Sequence, residues 1–512
     1  MKAIATVAEL AVELAGAPLS EANAGCLASI QVRQRASAPS QAELTFRGAN
    51  AAMADTFVLM PGLALVVKDA VHDVVVFDGE VTAVEHDYGP DGALEIRCRG
   101  YDRLHRLRKR QTIRVLTDLD CTGLAEELAA GIGMGVDSDV AGERLDRVVQ
   151  WWQSDLELLT ECCRRTGLSF GADGDRLVVF DGTGRGDPVV LRLGDELIEG
   201  GFELNGDRTV EAVSATGWDP ATGRRFERRA GEARSGRTAG ARVAAADLGG
   251  STERVIPNTV ATDEAQVAET AQAALDAAVA STAVVRGVAL GDARIRPGSK
   301  VSVAGVATAF EGEYVVTEAS HTVDAARGYL VAFGTGPIEG PGAGGGSVRV
   351  VPGLVLDVDD PKRLGRVRVS YPTLPPVESG WLRIVSAAAG PQTGFVAVPS
   401  HGDEVLVLLP TGDPSHGLIL GGLFTADEPP DFGIESGEVR RYTWRTCEGE
   451  EIQLDRERGR VVIRTPNGSR VSLGKGGFSL LSATDLEIAA PGKTIRIRAK
   501  AVDFERAAEA EE

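Results

Sequence analysis

Asp360-Pro361-Lys362-Arg363-Leu364-Gly365-Arg366-Val367-Arg368-Val369 reads as a turn feeding a strand. Asp-Pro and Gly365 punctuate the chain, and Val367 and Val369 then alternate with arginines, so one face is apolar and the other charged. Similar runs lie on either side, at Gly353 to Val358, Trp381 to Ser386, Glu404 to Leu409 and Leu418 to Leu423. With Gly365 to Ser370 they make five short strands in about 75 residues, which predicts an OB-like barrel over 350–427. Barrels of that kind hold single-stranded nucleic acid through a basic groove and stacking aromatics. Here Lys362, Arg363, Arg366, Arg368 and Arg383 are outnumbered by Asp357, Asp359, Asp360, Glu378, Asp403, Glu404, Asp413 and Asp427, so the charge disfavours a polyanion.

Upstream, residues 339–349 include Gly340-Pro341-Gly342-Ala343-Gly344-Gly345-Gly346-Ser347, which cannot pack a core and reads as a Gly-rich linker. The residues before it are therefore expected to fold as a unit of their own. Residues 1–105 carry alternating runs from Val32 to Phe46, Leu63 to Val67, Val74 to Phe77 and Leu94 to Cys98, the pattern of a first β-barrel. Residues 106–195 interrupt it with an α/β insertion. One helix lies near Thr122 to Ala130; another is opened by the capping box Ser154-Asp155-Leu156-Glu157 and stopped by Gly167. Residues 196–338 return to strands around an alanine-rich helix, Asp263 to Ala280, and predict a second barrel.

Downstream of a hinge at 428–441, marked by Pro429-Pro430, the character changes. In 442–512 apolar residues come as i, i+2 pairs: Ile452/Leu454, Val461/Ile463, Val471/Leu473, Phe478/Leu480, Leu486/Ile488, Ile495/Ile497 and Val502/Phe504. Two inward residues per strand are too few to bury a core within one chain. A small antiparallel meander fits this pattern, and so does a short trimeric β-helix in which three chains enclose an apolar column. In the trimeric case Ile452, Leu454, Val461, Ile463, Val471, Leu473, Leu486, Ile488, Ile495 and Ile497 form the axial core.

The bulk properties agree with several folded domains. A chain of 512 residues exceeds one ordinary domain, and 43% hydrophobic with 25% charged residues is the composition of a folded protein. With 62 glycines among short alternating segments, the class is mainly β. A formal charge of -20 disfavours nucleic acid and anionic membrane surfaces as main partners. No apolar run reaches the roughly 18 residues of a membrane span, and Glu9, Glu13 and Glu21 stand where a signal peptide would be apolar. The expectation is synthesis in the cytoplasm without a signal peptide. The cysteines Cys26, Cys98, Cys121, Cys162, Cys163 and Cys447 form no C-x-x-C pair and read as free core thiols.

Motifs that would carry chemistry fail on context. Gly167-Leu168-Ser169-Phe170-Gly171 matches G-x-S-x-G, but it follows a helix and enters a strand, the reverse of a nucleophile elbow. His72, His86, His105, His321, His401 and His416 form no paired metal motif. Gly131, Gly133 and Gly135 lack the spacing and strand context of a dinucleotide loop. Arg185-Gly186-Asp187 reads as part of a turn. No catalytic centre, cofactor or metal is expected.

Four blocks now stand in order: Asp360 to Val369, Gly380-Trp381-Leu382-Arg383, Pro399 with Gly402-Asp403-Glu404-Val405-Leu406-Val407, and Gly412-Asp413-Pro414 with Gly421. Together they resemble the OB domain of the spike proteins of contractile phage tails, type VI secretion (the valine-glycine repeat, VgrG, proteins) and phage-like extracellular injection particles. Phe77-Asp78-Gly79-Glu80-Val81, Gly100-Tyr101-Asp102-Arg103-Leu104-His105-Arg106-Leu107, Gln150-Trp151-Trp152-Gln153-Ser154-Asp155, Arg296-Pro297-Gly298 and Gly312-Glu313-Tyr314-Val315-Val316 resemble the hub domain of the same machines. The resemblance implies a homotrimer whose two barrels per subunit match a hexameric inner tube. It also implies a spike that caps the tube, nucleates the baseplate and pierces the target envelope on sheath contraction. A small PAAR-like tip protein is a further implied partner, with Val502 and Phe504 as its contacts; the acidic tail Glu505 to Glu512 is the alternative cover. Some relatives insert a lysozyme domain after the OB barrel or append a toxin after the rod. Only the hinge separates Asp427 from Tyr442 and only the acidic tail follows Phe504, so neither is expected here. Two alternatives remain. A trimeric adhesin binding surface glycans needs distal aromatics, and Phe504 is the sole aromatic beyond Phe478; an envelope hydrolase needs a carboxylate pair or triad on an inserted domain.

Overall fold

In the computed structural model, strand Leu27–Arg35 pairs antiparallel with Gln41–Ala49 on one edge and with Glu318–Asp324 on the other. The structure describes residues 10–505 apart from 50–58, 72, 91, 141, 143, 220–223, 241–242, 250–251, 258–263, 338–347, 411 and 427–428. The pairing joins the two expected barrel stretches, which are half-barrels of one 11-stranded sheet. The sheet runs from Leu197–Leu204 through Ala283–Leu290, Gly328–Gly334 and Glu318–Asp324 into the first stretch, and ends at Leu10–Leu14 and Ala17–Pro18. Alternation explains the burial. Along Leu94–Asp102 every second residue is buried, and Phe46, Ile96 and Cys98 share a core with Tyr314, Val331 and Phe333 from the second stretch.

Glycine is required where the two hub motifs cross. Gly79 lies opposite Asp102 and Gly100 opposite Val81. A Cβ on Gly79 would sit 2.2 Å from the Tyr101 carbonyl oxygen, and one on Gly100 would sit 2.9 Å from that of Glu80. Helix α1 (Glu21–Cys26) is short and capped by Ser20.

The insertion carries helices α2 (Cys121–Ala130) and α3 (Asp155–Thr166). Ser154 and Glu157 form the expected capping box, and Gly167 ends α3 in the left-handed conformation. The two helices enclose Leu124, Leu128, Leu159, Phe170 and Leu177 with the strands Ser169–Asp173, Arg176–Phe180 and Gly135–Ser138. Helix α4 (Glu264–Ala280) covers a further three-stranded sheet, burying Val267, Ala271 and Leu275 against Val213 and Ala215. Asp263, the expected start of that helix, lies outside the described residues.

The five barrel strands are present as Arg349–Asp357, Arg368–Ser370, Arg383–Ile384, Glu404–Leu409 and Leu418–Gly422, in sheet order second, first, fourth, fifth, third. They enclose Val355, Val369, Tyr371, Leu382, Val405, Val407 and Ile419. Asp360 organises the turn before the second strand. Its carboxylate accepts from Arg366 Nε at 2.9 Å and Nη2 at 2.6 Å, and from the backbone N–H groups of Lys362 and Leu364. The guanidinium holds this carboxyl well below the usual carboxylate range.

The expected linker lies mostly outside the described residues, and Arg349, its last residue, already belongs to the first barrel strand. Residues on either side of it form one compact unit that ends at Gly422. A ribbon from the insertion, Arg114–Leu119 paired with Leu145–Gln150, places Val149 in the barrel's own core. Trp151 Nε1 donates to the Gly412 carbonyl at 2.8 Å and Arg147 donates to that of Glu378. The Arg349 guanidinium lies 5.1 Å from the Trp151 ring centroid and 4.9 Å from that of Trp152. Side chains of the insertion thus contribute to the barrel core within one compact unit.

Beneath the ribbon, fully buried Asp155 accepts from Arg110 Nε at 3.0 Å, Arg114 Nη2 at 2.9 Å and Gln150 Nε2 at 2.8 Å. Removing one member of such a buried network strands the others. Asp155→Ala should cost about 3 kcal/mol or more of unfolding free energy in urea titrations. Glu161→Ala, which breaks only the exposed pair with Arg165, should cost less than about 0.5 kcal/mol.

Candidate assembly face

Leu423–Glu512 is the second unit and is described by itself. Its strands Arg441–Arg445, Glu451–Asp455, Arg460–Arg464, Arg470–Gly474 and Gly477–Leu481 pair antiparallel in chain order. Residues directly opposite one another share a face. One face consequently stacks Tyr442 and Trp444 against Leu454 and Ile452, then Val461 and Ile463, then Leu473 and Val471, then Phe478 and Leu480. It is apolar throughout, yet Tyr442 is 59% exposed, Leu473 48% and Phe478 67%.

The opposite face is charged and internally paired. Arg464 Nη2 donates to Glu451 at 2.8 Å, and Arg460 Nε donates to Asp455 at 3.3 Å. Glu451 and Asp455 are buried beneath these arginines, and Val462 is covered with them. The sheet thus pairs its buried carboxylates with arginines on its polar side and is uncovered on its apolar side, the reverse of a sheet stabilised within one chain.

Of the predicted rod residues, the structure brings Ile452, Leu454, Val461, Ile463, Val471 and Leu473 onto this face. Leu486, Ile488, Ile495 and Ile497 are not on it, and neither are Val502 and Phe504. Residues 482–505 form no strand, which corrects the expectation of seven strand units. The polar turn from Ser482 to Asp485 ends the meander, and the later pairs have no neighbouring strand in this chain to register against. All six are exposed, Phe504 at 92%. Sequence reading passed over Tyr442 and Trp444, whose i, i+2 spacing repeats that of Ile452 and Leu454. The acidic tail lies outside the described residues beyond Glu505.

Among the described residues, no group of three or more His, Cys, Asp or Glu side chains is placed to hold a metal ion, and no helix is long and apolar enough to cross a membrane. Ser169 opens a strand after the helix stop at Gly167, as its context predicted. The hub motif instead builds an ion cluster. Glu80 accepts from Arg106 Nε at 3.1 Å and Nη2 at 2.6 Å, and from His105 Nε2 at 2.5 Å. Burial lowers the His105 pKa despite that carboxylate.

Comparison with known proteins places these elements. Residues 5–325 match the Alg8 N-terminal domain family, over more than half of the chain. The chain belongs to the Alg8 N-terminal domain family. Behind that domain, residues 351–424 match the type VI secretion system/phage-baseplate injector OB domain. A curated relative, the actin cross-linking toxin VgrG1 of Vibrio cholerae, is 34% identical over 108 residues. The match spans 19% of this chain and 10% of that protein.

Solved structures share the fold at low identity. The E. coli c3393 protein, a type VI secretion component described as similar to T4 tail proteins gp27 and gp5, aligns with a TM-score of 0.51 and 15% identity over 78% of this chain and 96% of its own. A chain of the half-lidded Francisella PdpA-VgrG complex aligns at 0.54 and 9% identity, covering 92% of this chain and 88% of its own. The chain thus carries an injector-type OB domain behind its Alg8 N-terminal domain, and is VgrG-like in sharing that domain and the fold of type VI secretion and phage tail proteins.

The hub cluster sets a pH dependence. Hydrogen bonds from Arg106, assisted by His105, hold the Glu80 carboxyl at about 2, below its ordinary 4.5. A depressed folded value contributes stability that is present above pH 4.5 and lost as pH falls toward 2. Glu80→Gln should therefore flatten the acid limb of the stability curve over that window, read from urea midpoints measured at successive pH values.

Proposed function

We propose that this chain is the central spike of a contractile injection machine and acts as a homotrimer. The observation that carries the reading is the uncovered apolar face from Tyr442 to Leu480, backed by a charged face whose buried carboxylates are already paired. Three copies closing around an axis would bury that face, and would give the apolar pairs from Leu486 to Ile497 the neighbours they lack in one chain. A rod built from intertwined strands without free edges suits a part that must resist forced unfolding. The hub would cap the inner tube and nucleate the baseplate, and the rod would meet the target envelope when the sheath contracts. The work is mechanical and non-enzymatic, and the particle is assembled in the cytoplasm.

Ile463→Asp and Leu473→Asp place a charge in the dry axis, where no partner exists. Each should shift the mass by light scattering from three chains to one. Ser472→Asp and Ser479→Asp, on the opposite face, should leave it at three. Arg464 is unsuitable as a control, because it pairs with buried Glu451. A stable monomer of the unmodified protein at micromolar concentration would overturn the trimer.

At the far end, Val502 and Phe504 would seat a small PAAR-like tip protein by burying apolar surface. A Val502→Asp, Phe504→Asp double variant that stays trimeric should lose co-purification with that protein, whereas removal of residues 506–512 should not affect it. Undiminished binding by the double variant would rule out the contact.

A further inference from the structure

Three of the cysteines meet inside the insertion. Cys121 is the first residue of α2, and Cys162 and Cys163 lie about one turn before the end of α3. Cys121 Sγ stands 3.3 Å from Cys163 Sγ, and both residues are buried, at 0% and 1% exposure. Cys162 lies beside them, also buried, and Thr166 completes the cluster. The environment distinguishes the sulfurs. Cys121 stands at the positive end of α2 with the Cys163 thiol beside it, while the Thr166 hydroxyl donates to the carbonyls of Cys162 and Cys163. The thiol contacts favour thiolate at Cys121, while the same contacts and burial push the other two thiols up. Buried Cys98 has no such neighbours and is pushed up to about 12, as expected of an inert core thiol.

We propose that Cys121 and Cys163 form an oxidation site, in which a small peroxide converts the two thiols to a disulfide that staples the start of α2 to the last turns of α3. The sulfurs need to approach by only about 1.2 Å to reach disulfide length. In the first step the Cys121 thiolate attacks one peroxide oxygen. The O–O bond breaks, Cys121 becomes a sulfenic acid, and the departing hydroxide takes the Cys163 proton as water. In the second, the Cys163 thiolate attacks the Cys121 sulfur, the S–O bond breaks and the hydroxyl leaves as a second water on taking up a proton. Two thiols are oxidised and one peroxide is reduced to two waters. A small oxidant is specified because the sulfurs are enclosed and a bulky disulfide reagent has no approach to them. The bond would close a loop from residue 121 to residue 163, constraining the unfolded chain around the ribbon that docks on the barrel.

The test uses the full chain carrying Cys447→Ser, which removes the exposed thiol and its intermolecular disulfides. After hydrogen peroxide treatment and blocking of residual thiols, intact mass should show the loss of two hydrogens. Fragmentation of non-reduced peptides should join Cys121 to Cys163, and dithiothreitol should reverse both changes. The oxidised form should unfold at a higher temperature than the reduced form. Cys162→Ala should keep the link and Cys121→Ser should abolish it. A full complement of free thiols after a peroxide dose that oxidises Cys447 in the unmodified chain would overturn the proposal, as would a link that falls on Cys162 or joins two chains. The mass result on the parent chain stands even if Cys121→Ser fails to fold.

Discussion

The antiparallel pairing of Leu27–Arg35 with Glu318–Asp324 is the contact on which the hub depends. It brings together strands separated by nearly three hundred residues of chain, at the entropic cost that any closure of that length carries. Without it the two half-barrels are separate sheets with open edges, and the core containing Phe46, Ile96, Val331 and Phe333 cannot close. The insertion and the module covered by α4 hang between these two strands. Their placement follows from this closure.

The second unit obeys a different constraint. Its polar face is settled locally, since Glu451 and Asp455 find arginines one strand away. Its apolar face has no counterpart among the described residues of the unit. A sheet five strands long and two apolar residues wide exposes hydrophobic surface whichever way it twists, and only another surface can cover it. The charged lattice also excludes the reverse arrangement, because closing around that face would desolvate the arginines that keep the carboxylates paired.

Much of this was legible in the sequence for physical reasons. Period-two alternation marked the barrel strands and the strands of the second unit up to Leu481, and the Ser154–Glu157 capping box and Gly167 fixed α3, because these signals are local. The fusion of two half-barrels was hidden, since pairing between Ser29 and Asp324 leaves no mark in either segment alone. The contacts of Val149, Trp151 and Arg349 with the barrel were hidden for the same reason, because they join residues far apart in the chain. On the assembly face, Ile452 to Leu473 were readable from spacing, and Tyr442 and Trp444 carried the same spacing without being counted. The segments after Leu481 lack strand structure because alternation predicts a face but does not supply a neighbour.

Arg349 joins the insertion to the barrel. Its guanidinium lies against two indole rings, and its backbone begins the strand that runs through the barrel. Trp151 in turn is tied to the far side of the barrel at Gly412. Parting the barrel from the insertion would therefore require the cation–π contacts, the buried Val149 side chain and the Trp151 hydrogen bond to be lost together. The ribbon that carries Val149 is itself anchored to Asp155 through Arg114 and Gln150, so the barrel contact and the buried ion network share one element.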